Sequence, residues 1–234
     1  SSDAGKLYIA DNTRVFVVDL ATGQLSLFAG GTNGGFSGDG GPALDARFDF
    51  ISSLALAPGG GLVISDTGNQ RIRYVVPDSI TLTNDSGQTA FHLPWVSALA
   101  GDLTIADNPS LTTVDMSALT GVSGNLDISG NTSAAVIDLG SLTTASGNLD
   151  ISGNTSAAAI GLGSLTTVGG DLILSGNTNV GAINMGSLTT VSGDLTITSN
   201  APDAVVDLNS LTAFGCGANE VTMTLDGGTV QVTN

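Results

Sequence analysis

The sequence predicts an all-β protein in which an antiparallel β module precedes a right-handed parallel β-solenoid. Three observations support this fold class. One phrase recurs five times between residues 101 and 215 without insertion or deletion, and its copies begin at Gly101, Gly124, Gly147, Gly170 and Gly193. Residues 1–76 contain short apolar segments separated by Gly-rich turns. The chain is also 41% hydrophobic and only 11% charged, which is too apolar for a disordered polypeptide.

Residues 1–76 are expected to form the antiparallel module. Its apolar segments are KLYIAD, RVFVVD, QLSLFAGG, SSLALAPGGGLVISD and RIRYVVP. Alternating short strands joined by Gly-rich turns are typical of antiparallel sheets. The motif at residues 7–11 (LYIAD) returns at residues 62–66 (LVISD). The module therefore contains two related units.

The Gly-rich stretch GGFSGDGGPALDARF (34–48) and the following LALAPGGGLVISDTGNQRIRYV (54–75) closely resemble the NHL type of β-propeller repeat. The resemblance implies a partial, propeller-like antiparallel module of one or two blades, whereas a closed propeller usually needs four or more. Such a module leaves strand edges open, and open edges are templates for association. The solenoid, further sequence or another chain would have to cover them, and we favour another copy of the protein. A contact between two different patches grows a filament unless it closes into a ring.

Residues 77–100 are expected to be a linker that also caps the first coil. A solenoid end exposes its core unless something covers it. The apolar side chains that would form this cap are Phe91, Leu93, Trp95, Val96 and Leu99. Residues 216–234 are expected to close the other end as a hairpin around Asp226, Gly227 and Gly228.

Residues 101–215 carry the repeat and predict five solenoid coils. A unit of about 23 residues cannot enclose a core alone, but stacked copies share one. The third position of every repeat is Leu, at residues 103, 126, 149, 172 and 195, and the fifth is Ile or Leu. Apolar residues spaced by two form one face of a short strand. Equivalent strands are therefore expected to pair in parallel from coil to coil.

The eighth position of every repeat is Asn, and we interpret this column as a structural ladder that satisfies backbone groups at the turns. Its members are Asn108, Asn131, Asn154, Asn177 and Asn200. Asn131 and Asn154 also begin formal glycosylation sequons, which leaves modification as the alternative. Asn84, in the sequon Asn84-Asp85-Ser86, lies outside the stack and is the preferred glycosylation candidate.

The phrase Leu-x-Ile-x-x-Asn, preceded by Leu-Thr-Thr-Val and by Gly-Asp or Gly-Asn, resembles leucine-rich-repeat relatives found in receptor L domains and bacterial surface proteins. The resemblance implies binding of protein or glycan on a strand face, or a purely architectural role. The sequence departs from that family on the return limb. This limb is short, β-branched and ends in Gly, so it is expected to be extended rather than helical.

The charge distribution restricts partners. The chain has 5 Lys and Arg against 21 Asp and Glu, a net charge of −16, and no Lys or Arg follows residue 73. Such a surface repels phosphate backbones and anionic headgroups, which argues against nucleic acid and membrane surfaces. No apolar run is long enough to span a bilayer. The lack of tryptic sites suits a secreted or cell-surface protein.

An acidic surface is better suited to binding divalent cations than to binding nucleic acid or membrane surfaces. Asp127 and Asp150 share one register position in adjacent coils, where like charges about 5 Å apart repel by roughly 0.8 kcal/mol in water. Together with Asn125 and Asn148 they form a candidate Ca²⁺ site, because Ca²⁺ takes oxygen ligands. The alternative is a pair of solvated acids, and no EF-hand or RTX-type loop accompanies them. No other cofactor is predicted.

Catalysis is not expected. His92 is the only histidine, and its place before Leu93-Pro94-Trp95 in the capping segment favours a structural role. Cys216 is the only cysteine and has no adjacent base in the sequence that would make it a nucleophile. A carboxylate-dependent glycan-active enzyme remains a disfavoured alternative. The sequence favours a secreted or cell-surface structural or adhesive protein that self-associates head to tail, as the subunit of a filament, with glycans or surface proteins as further partners. The second hypothesis is a monomeric protein- or carbohydrate-binding solenoid excised from a larger surface protein.

Overall fold

The computed structural model describes residues 2–3, 5–39, 42–57, 61–94, 96–214, 221–224 and 229–231. Within these ranges the chain is almost entirely β-structure, and the one helix is a 3-10 turn at Ala43–Asp45. Its contacts divide the chain into two compact units, residues 1–79 with 98–100, and residues 80–97 with 101–234. No helix in the described part of the chain has the length and hydropathy needed to cross a membrane. The predicted all-β class is confirmed.

The N-terminal unit contains two antiparallel sheets. Sheet A has the order β1 (Ser2–Asp3), β2 (Lys6–Ala10), β3 (Arg14–Asp19) and β4 (Leu25–Gly30). Sheet B has the order β5 (Ile51–Leu56), β6 (Leu62–Asp66) and β7 (Arg71–Val75). Asp19 shapes the β3–β4 turn by accepting the N–H groups of Ala21 and Thr22, and Gly23 takes the left-handed conformation there. The antiparallel arrangement predicted for this region is confirmed.

One apolar core joins sheets A and B. Its members come from both sheets and from the segment between them: Tyr8, Val15, Ala29, Ala43, Ala46, Phe48, Ile51, Leu62, Ile64 and Val75. Phe48 lies beneath the end of β4, where a Cβ on Gly30 would come within 3.0 Å of its ring. The Gly-rich segment between the sheets therefore contributes packing as well as connection.

The second unit is a β-solenoid built from three sheets. Sheet C contains β8 (Ile80–Thr83), β11 (Leu103–Ala106), β14 (Leu126–Ser129), β17 (Leu149–Ser152), β20 (Leu172–Ser175), β23 (Leu195–Thr198) and β26 (Val221–Thr224). Sheet D contains β9 (Ala90–His92), β12 (Thr113–Asp115), β15 (Val136–Asp138), β18 (Ala159–Gly161), β21 (Ala182–Asn184), β24 (Val205–Asp207) and β27 (Thr229–Gln231). Sheet E contains β10 (Ala98–Leu99), β13 (Gly121–Val122), β16 (Thr144–Ala145), β19 (Thr167–Val168), β22 (Thr190–Val191) and β25 (Ala213–Phe214). β10 pairs with β13 in this sheet, although the division by contacts groups residues 98–100 with the first unit.

The strand register follows the sequence period. Leu126 pairs in parallel with Leu149, and Leu149 with Leu172. All three side chains are buried in the same continuous core. The predicted parallel solenoid is confirmed. It has about six turns of roughly 23 residues, so it continues beyond the five repeats recognised in the sequence.

The prediction for residues 77–100 needs correction, because most of this segment forms a further turn of the solenoid rather than a linker. β8 pairs in parallel with β11, so that Ile80 lies beside Leu103. β9 pairs in parallel with β12, which places Phe91 beside Val114. Ile80 and Phe91 are buried like the residues they adjoin. The apolar side chains thus occupy repeat positions despite the divergent sequence, while Trp95 lies outside the described residues.

The predicted C-terminal hairpin is wrong. β26 pairs in parallel with β23, and β27 pairs in parallel with β24. Each strand therefore continues a solenoid sheet instead of pairing with the other. The open edges of β23 and β24 present backbone groups in the same register as every earlier coil, and extending both ladders satisfies them. The turn predicted around residues 226–228 lies outside the described residues.

Candidate functional site

Two carboxylates lie side by side on the outer face of sheet C. Asp127 and Asp150 are paired in register between β14 and β17. The Oδ1 atom of each is buried and accepts no hydrogen bond from the described part of the chain. Burial raises the pKa of Asp150, a hydrogen bond from Ser152 partly opposes this, and the charge of Asp127 raises the pKa further. Burial and, to a smaller extent, the neighbouring carboxylate therefore both disfavour ionisation of Asp150.

The two amides predicted to complete a calcium site are engaged elsewhere. Oδ1 of Asn125 accepts the N–H of Asn148 at 3.0 Å, and Oδ1 of Asn148 accepts the N–H of Asp171 at 2.9 Å. No group of three or more His, Cys, Asp or Glu side chains capable of holding a metal occurs among the described residues. The calcium hypothesis is thereby reduced to the two carboxylates.

Asn125 and Asn148 belong to an exposed column that the sequence reasoning missed. Its members are Asp102, Asn125, Asn148, Asp171 and Asp194, and each of the first four accepts the N–H of the next. The preceding Gly makes room for this contact. A Cβ on Gly124 would stand 2.2 Å from the Asp102 side chain, and one on Gly147 would stand 2.5 Å from Asn125. The recurring Gly-Asp or Gly-Asn pair was the signal that could have predicted it.

The repeated asparagines at the eighth position form a second column, buried within the solenoid. Asn131 shows the pattern that recurs along it. Its Nδ2 donates to the Ile105 carbonyl at 2.7 Å, and its Oδ1 accepts from both the backbone N–H and the Nδ2 of Asn108. Each amide side chain thus satisfies groups in the coil before it. Asn108, Asn131, Asn154 and Asn177 are fully buried, and Asn200 nearly so.

The burial of this column distinguishes the sequons that are inaccessible to glycosylation from the one that is accessible. Asn131 and Asn154 have no exposed surface and both amide groups are engaged, so neither is accessible to a glycosyl transfer enzyme in the folded protein. Asn84 is exposed, and it adopts a positive φ of 55° at the end of β8. Asn84 is therefore the accessible sequon.

Threonine hydroxyls form a third column beside sheet E. Thr120, Thr143, Thr166, Thr189 and Thr212 each donate Oγ1–H to a backbone carbonyl of the preceding coil. For Thr143 the acceptor is the Thr120 carbonyl, which also receives the Thr143 N–H. The three columns use side chains to reinforce the backbone ladders. Their combined effect is a solenoid whose coils are bonded to one another at several positions around each turn.

In the N-terminal unit, Arg73 holds the Gly-rich segment against sheet B. Its guanidinium donates to Asp39 at 2.7 Å, to the Ser37 carbonyl at 2.7 Å and to the Arg47 carbonyl. It also stacks over Phe48, 4.8 Å from the ring centroid. Asp66, fully buried, lies 3.4 Å from the same guanidinium and accepts the N–H of Asp49. These contacts give the charged residues of the Gly-rich motif a structural role.

The structure describes the only histidine but not the only cysteine. His92 is largely exposed, and its Nδ1 lies 2.8 Å from Oδ2 of Asp115, its register partner on the next strand of sheet D. Cys216 lies outside the described residues. The sequence placed His92 in a cap, whereas the structure places it on a solenoid strand.

Exposed apolar side chains are concentrated in the N-terminal unit. Among the described residues, eight of the ten large apolar side chains that are strongly exposed lie before residue 80. Three of them, Ile9, Leu25 and Leu27, share the outer face of sheet A with Leu7, Phe16 and Val18, which the strand register places beside them. Leu7, Phe16 and Val18 are partly exposed. An apolar sheet face with this much exposed surface is a typical interaction surface.

Part of the chain is similar to teneurins. An 88-residue match at 39% identity relates it to Teneurin-1 of Mus musculus and to Teneurin-4 of Homo sapiens and of Mus musculus. The match covers 32% of this chain, and the chain spans about 3% of the length of these relatives. No family model matches the sequence, and no solved structure gives a significant match. The comparisons thus reveal a local similarity to teneurins.

Proposed function

We propose that this chain is a structural or adhesive protein of the cell surface or extracellular space, and that it associates with copies of itself through its N-terminal unit. The observation that carries the proposal is the exposed apolar face of sheet A. Apolar surface of this kind is buried in stable proteins by association, since exposure to water is unfavourable at about 25 cal/mol per Å². No catalytic activity is part of the proposal.

The location is supported by two observations. The local similarity is to teneurins. The solenoid sequence, which has no Lys or Arg, offers trypsin-like proteases no cleavage site. Both favour a protein that works outside the cell.

The solenoid supplies the mechanical part of the function. About six turns at a strand spacing of about 4.8 Å give a stack on the order of 30 Å. Three side-chain columns add hydrogen bonds between coils, so pulling coils apart requires breaking backbone and side-chain bonds together. An acidic surface keeps such a stack soluble. The solenoid therefore acts as a stiff spacer attached to an associating unit.

Sedimentation velocity across a concentration series, followed by electron microscopy of the same samples, tests self-association. We expect the sedimentation coefficient to rise with concentration and the images to contain filaments or closed rings. A single monomeric species at the highest attainable concentration would refute the proposal. Polysaccharides incubated with the protein should remain uncleaved, and release of sugars would reinstate an enzymatic role.

A second candidate function is recognition of protein or carbohydrate by a monomeric solenoid. It is favoured by an uncharged column on the outer face of sheet D, formed by Val136, Ala159, Ala182 and Val205, all of them exposed. A glycan array probed with the monomer tests it. Binding that Val136→Asp abolishes supports this function, whereas an array without binding removes its carbohydrate form.

A further inference from the structure

Sheets A and B contain the same hairpin. Leu7 and Ile9 on β2 correspond to Leu62 and Ile64 on β6 in the repeated motif. The register extends the correspondence to the second strand of each hairpin. Ile9 pairs with Phe16 as Ile64 pairs with Arg73, and Leu7 pairs with Val18 as Leu62 pairs with Val75.

The corresponding positions differ in burial. In sheet B this face is buried: Leu62 and Ile64 have no exposed surface, and Arg73 and Val75 are nearly covered. The segment between the sheets and the core shared with sheet A cover it. In sheet A the same face is much more exposed: Ile9, Leu25 and Leu27 are 46%, 59% and 41% exposed, and the other three residues of the face are partly exposed. We call it the A-face, formed by Leu7, Ile9, Phe16, Val18, Leu25 and Leu27.

The opposite faces show the reverse pattern. In sheet A the opposite face, with Tyr8 and Val15, is buried in the core shared with sheet B. The corresponding face of sheet B carries Val63, Ser65, Ile72 and Tyr74, and we call it the B-face. Ile72 is 72% exposed. The other three B-face residues are partly exposed. Each sheet therefore buries one face in the core that joins them and leaves the other at least partly exposed.

We propose that the A-face of one copy packs against the B-face of a second copy, repeating between molecules the packing of sheet A on sheet B within one molecule. The inference rests on the proposed self-association and specifies its surface. The occupant is a second copy because the chain itself contains both members of the pair. The A-face corresponds to the surface that sheet B already buries, and the B-face corresponds to the surface that sheet A already buries.

The chemistry of the two faces fits a mainly apolar contact. The Arg14 guanidinium, which lies 5.1 Å from the centre of the Phe16 ring, is bound to Asp11 and so brings no uncompensated charge. Ile72 projects from the B-face among Val63, Ser65 and Tyr74, none of them charged. Because the two faces differ, the contact is heterologous. It adds two sheets per copy and ends either in a ring or in a filament.

Two variants distinguish a heterologous contact from any other. Ile9→Asp places a charge on the A-face, and Ile72→Asp places one on the B-face. Both side chains are exposed, so folding should be preserved, and circular dichroism checks this. Burying an unpaired carboxylate should weaken association about a hundredfold or more. Each variant alone should therefore be monomeric at concentrations where the wild type associates.

An equimolar mixture of the two variants should form a dimer and stop there. In the mixture, the intact B-face of the Ile9→Asp chain meets the intact A-face of the Ile72→Asp chain, and the two blocked faces prevent further growth. Mass photometry measures this directly. Leu25→Asp, at an A-face residue that is 59% exposed, should replace Ile9→Asp with the same result. Asn179→Asp, at an exposed solenoid residue outside both faces, is the control and should associate like the wild type.

The outcomes separate this inference from the proposed function. Wild type that associates while both variants associate equally well leaves self-association standing and overturns the assignment of the faces. Monomeric variants whose mixture also stays monomeric overturn the heterologous pairing. Wild type that is monomeric throughout overturns both.

Discussion

Asp150 shows how a single residue position can weaken an otherwise regular stack. Its carboxylate lies beside that of Asp127, with one buried oxygen that has no hydrogen-bond donor in the described structure. Burial raises the pKa of Asp150 above the usual 3.8. An acid whose folded-state pKa is raised lowers stability once it ionises. Stability should therefore fall as the pH rises from about 3.8 through the folded-state pKa.

Asp150→Asn should remove this penalty. We expect the melting temperature at pH 7 to rise by about 1–2 °C, from a gain of about 0.5 kcal/mol after allowing for solvent screening. At pH 3, where the wild-type carboxylate is protonated, the difference should vanish. Thermal melts across this pH range measure it. Asp203→Asn, at an exposed acid, is the control, and an equal gain there would contradict the explanation.

Asn154 has the opposite role, because its amide completes bonds that nothing else supplies. Its Nδ2 donates to the Ile128 carbonyl at 2.8 Å, and its Oδ1 accepts two bonds from Asn131. Asn154→Ala should leave these buried groups unpaired and lower the free energy of unfolding by about 3 kcal/mol. Chemical denaturation measures the loss.

Asn179→Ala is the control for that substitution. Asn179 is exposed, and its Nδ2 makes a 3.4 Å contact with the Ser156 carbonyl. The change should alter stability by less than about 0.5 kcal/mol. Equal losses in the two variants would show that burial of the ladder contributes nothing.

At the scale of the coil, the Gly before each Asx residue sets how closely successive turns approach. A Cβ on Gly147 would stand 2.5 Å from Oδ1 of Asn125 and 2.7 Å from the Gly124 carbonyl oxygen. Gly147→Ala should therefore separate two coils or break the exposed column of Asp and Asn side chains, lowering the free energy of unfolding by about 1–3 kcal/mol. Thermal unfolding checks the prediction.

Gly181→Ala provides the comparison, since a Cβ there meets no atom within 4 Å. Removing a glycine at an unstrained position lowers the entropy of the unfolded chain and should leave stability unchanged or raise it slightly. If both substitutions destabilised the protein alike, close approach between coils would not be the reason for the regular spacing of glycine within the repeats.

The same scale shows where sequence reasoning worked and where it failed. Leu126, Leu149 and Leu172 were predicted to share one core because the repeat period carries each to the same place in the next coil. Asn125 and Asn148 were assigned to a cation because they adjoin Asp127 and Asp150 along the chain. Their oxygens are taken by N–H groups one coil away, a contact set by the vertical spacing of coils.

For the whole molecule, charge and fold give two separable kinds of protease resistance. Arg73 is the last Lys or Arg in the sequence, so trypsin should leave everything from Tyr74 onward uncut whether the chain is folded or heat-denatured. Cleavage by a protease of broad specificity depends instead on whether the chain is folded. In the native protein we expect it to leave a solenoid fragment, because the coils are joined on three sheets.

Heat-denatured protein is the control for the broad-specificity digest, and mass spectrometry identifies the fragments. Denaturation should eliminate the solenoid fragment in that digest while leaving the tryptic fragment unchanged. Rapid native degradation by the broad-specificity protease would mean that the columns between coils do not stabilise the stack.

The sequence by itself determined the period, the inward Leu and Ile positions, the asparagine column and the two-part organisation of the chain. These features depend on local alternation and on repetition, which a linear sequence displays directly. The tertiary structure decided that the strands at residues 80–83 and 90–92, and the C-terminal strands, belong to the solenoid. It also decided which sheet faces are open. Leu7 and Leu62 belong to the same motif, yet only Leu62 is fully buried, because burial depends on what the rest of the chain packs against each strand.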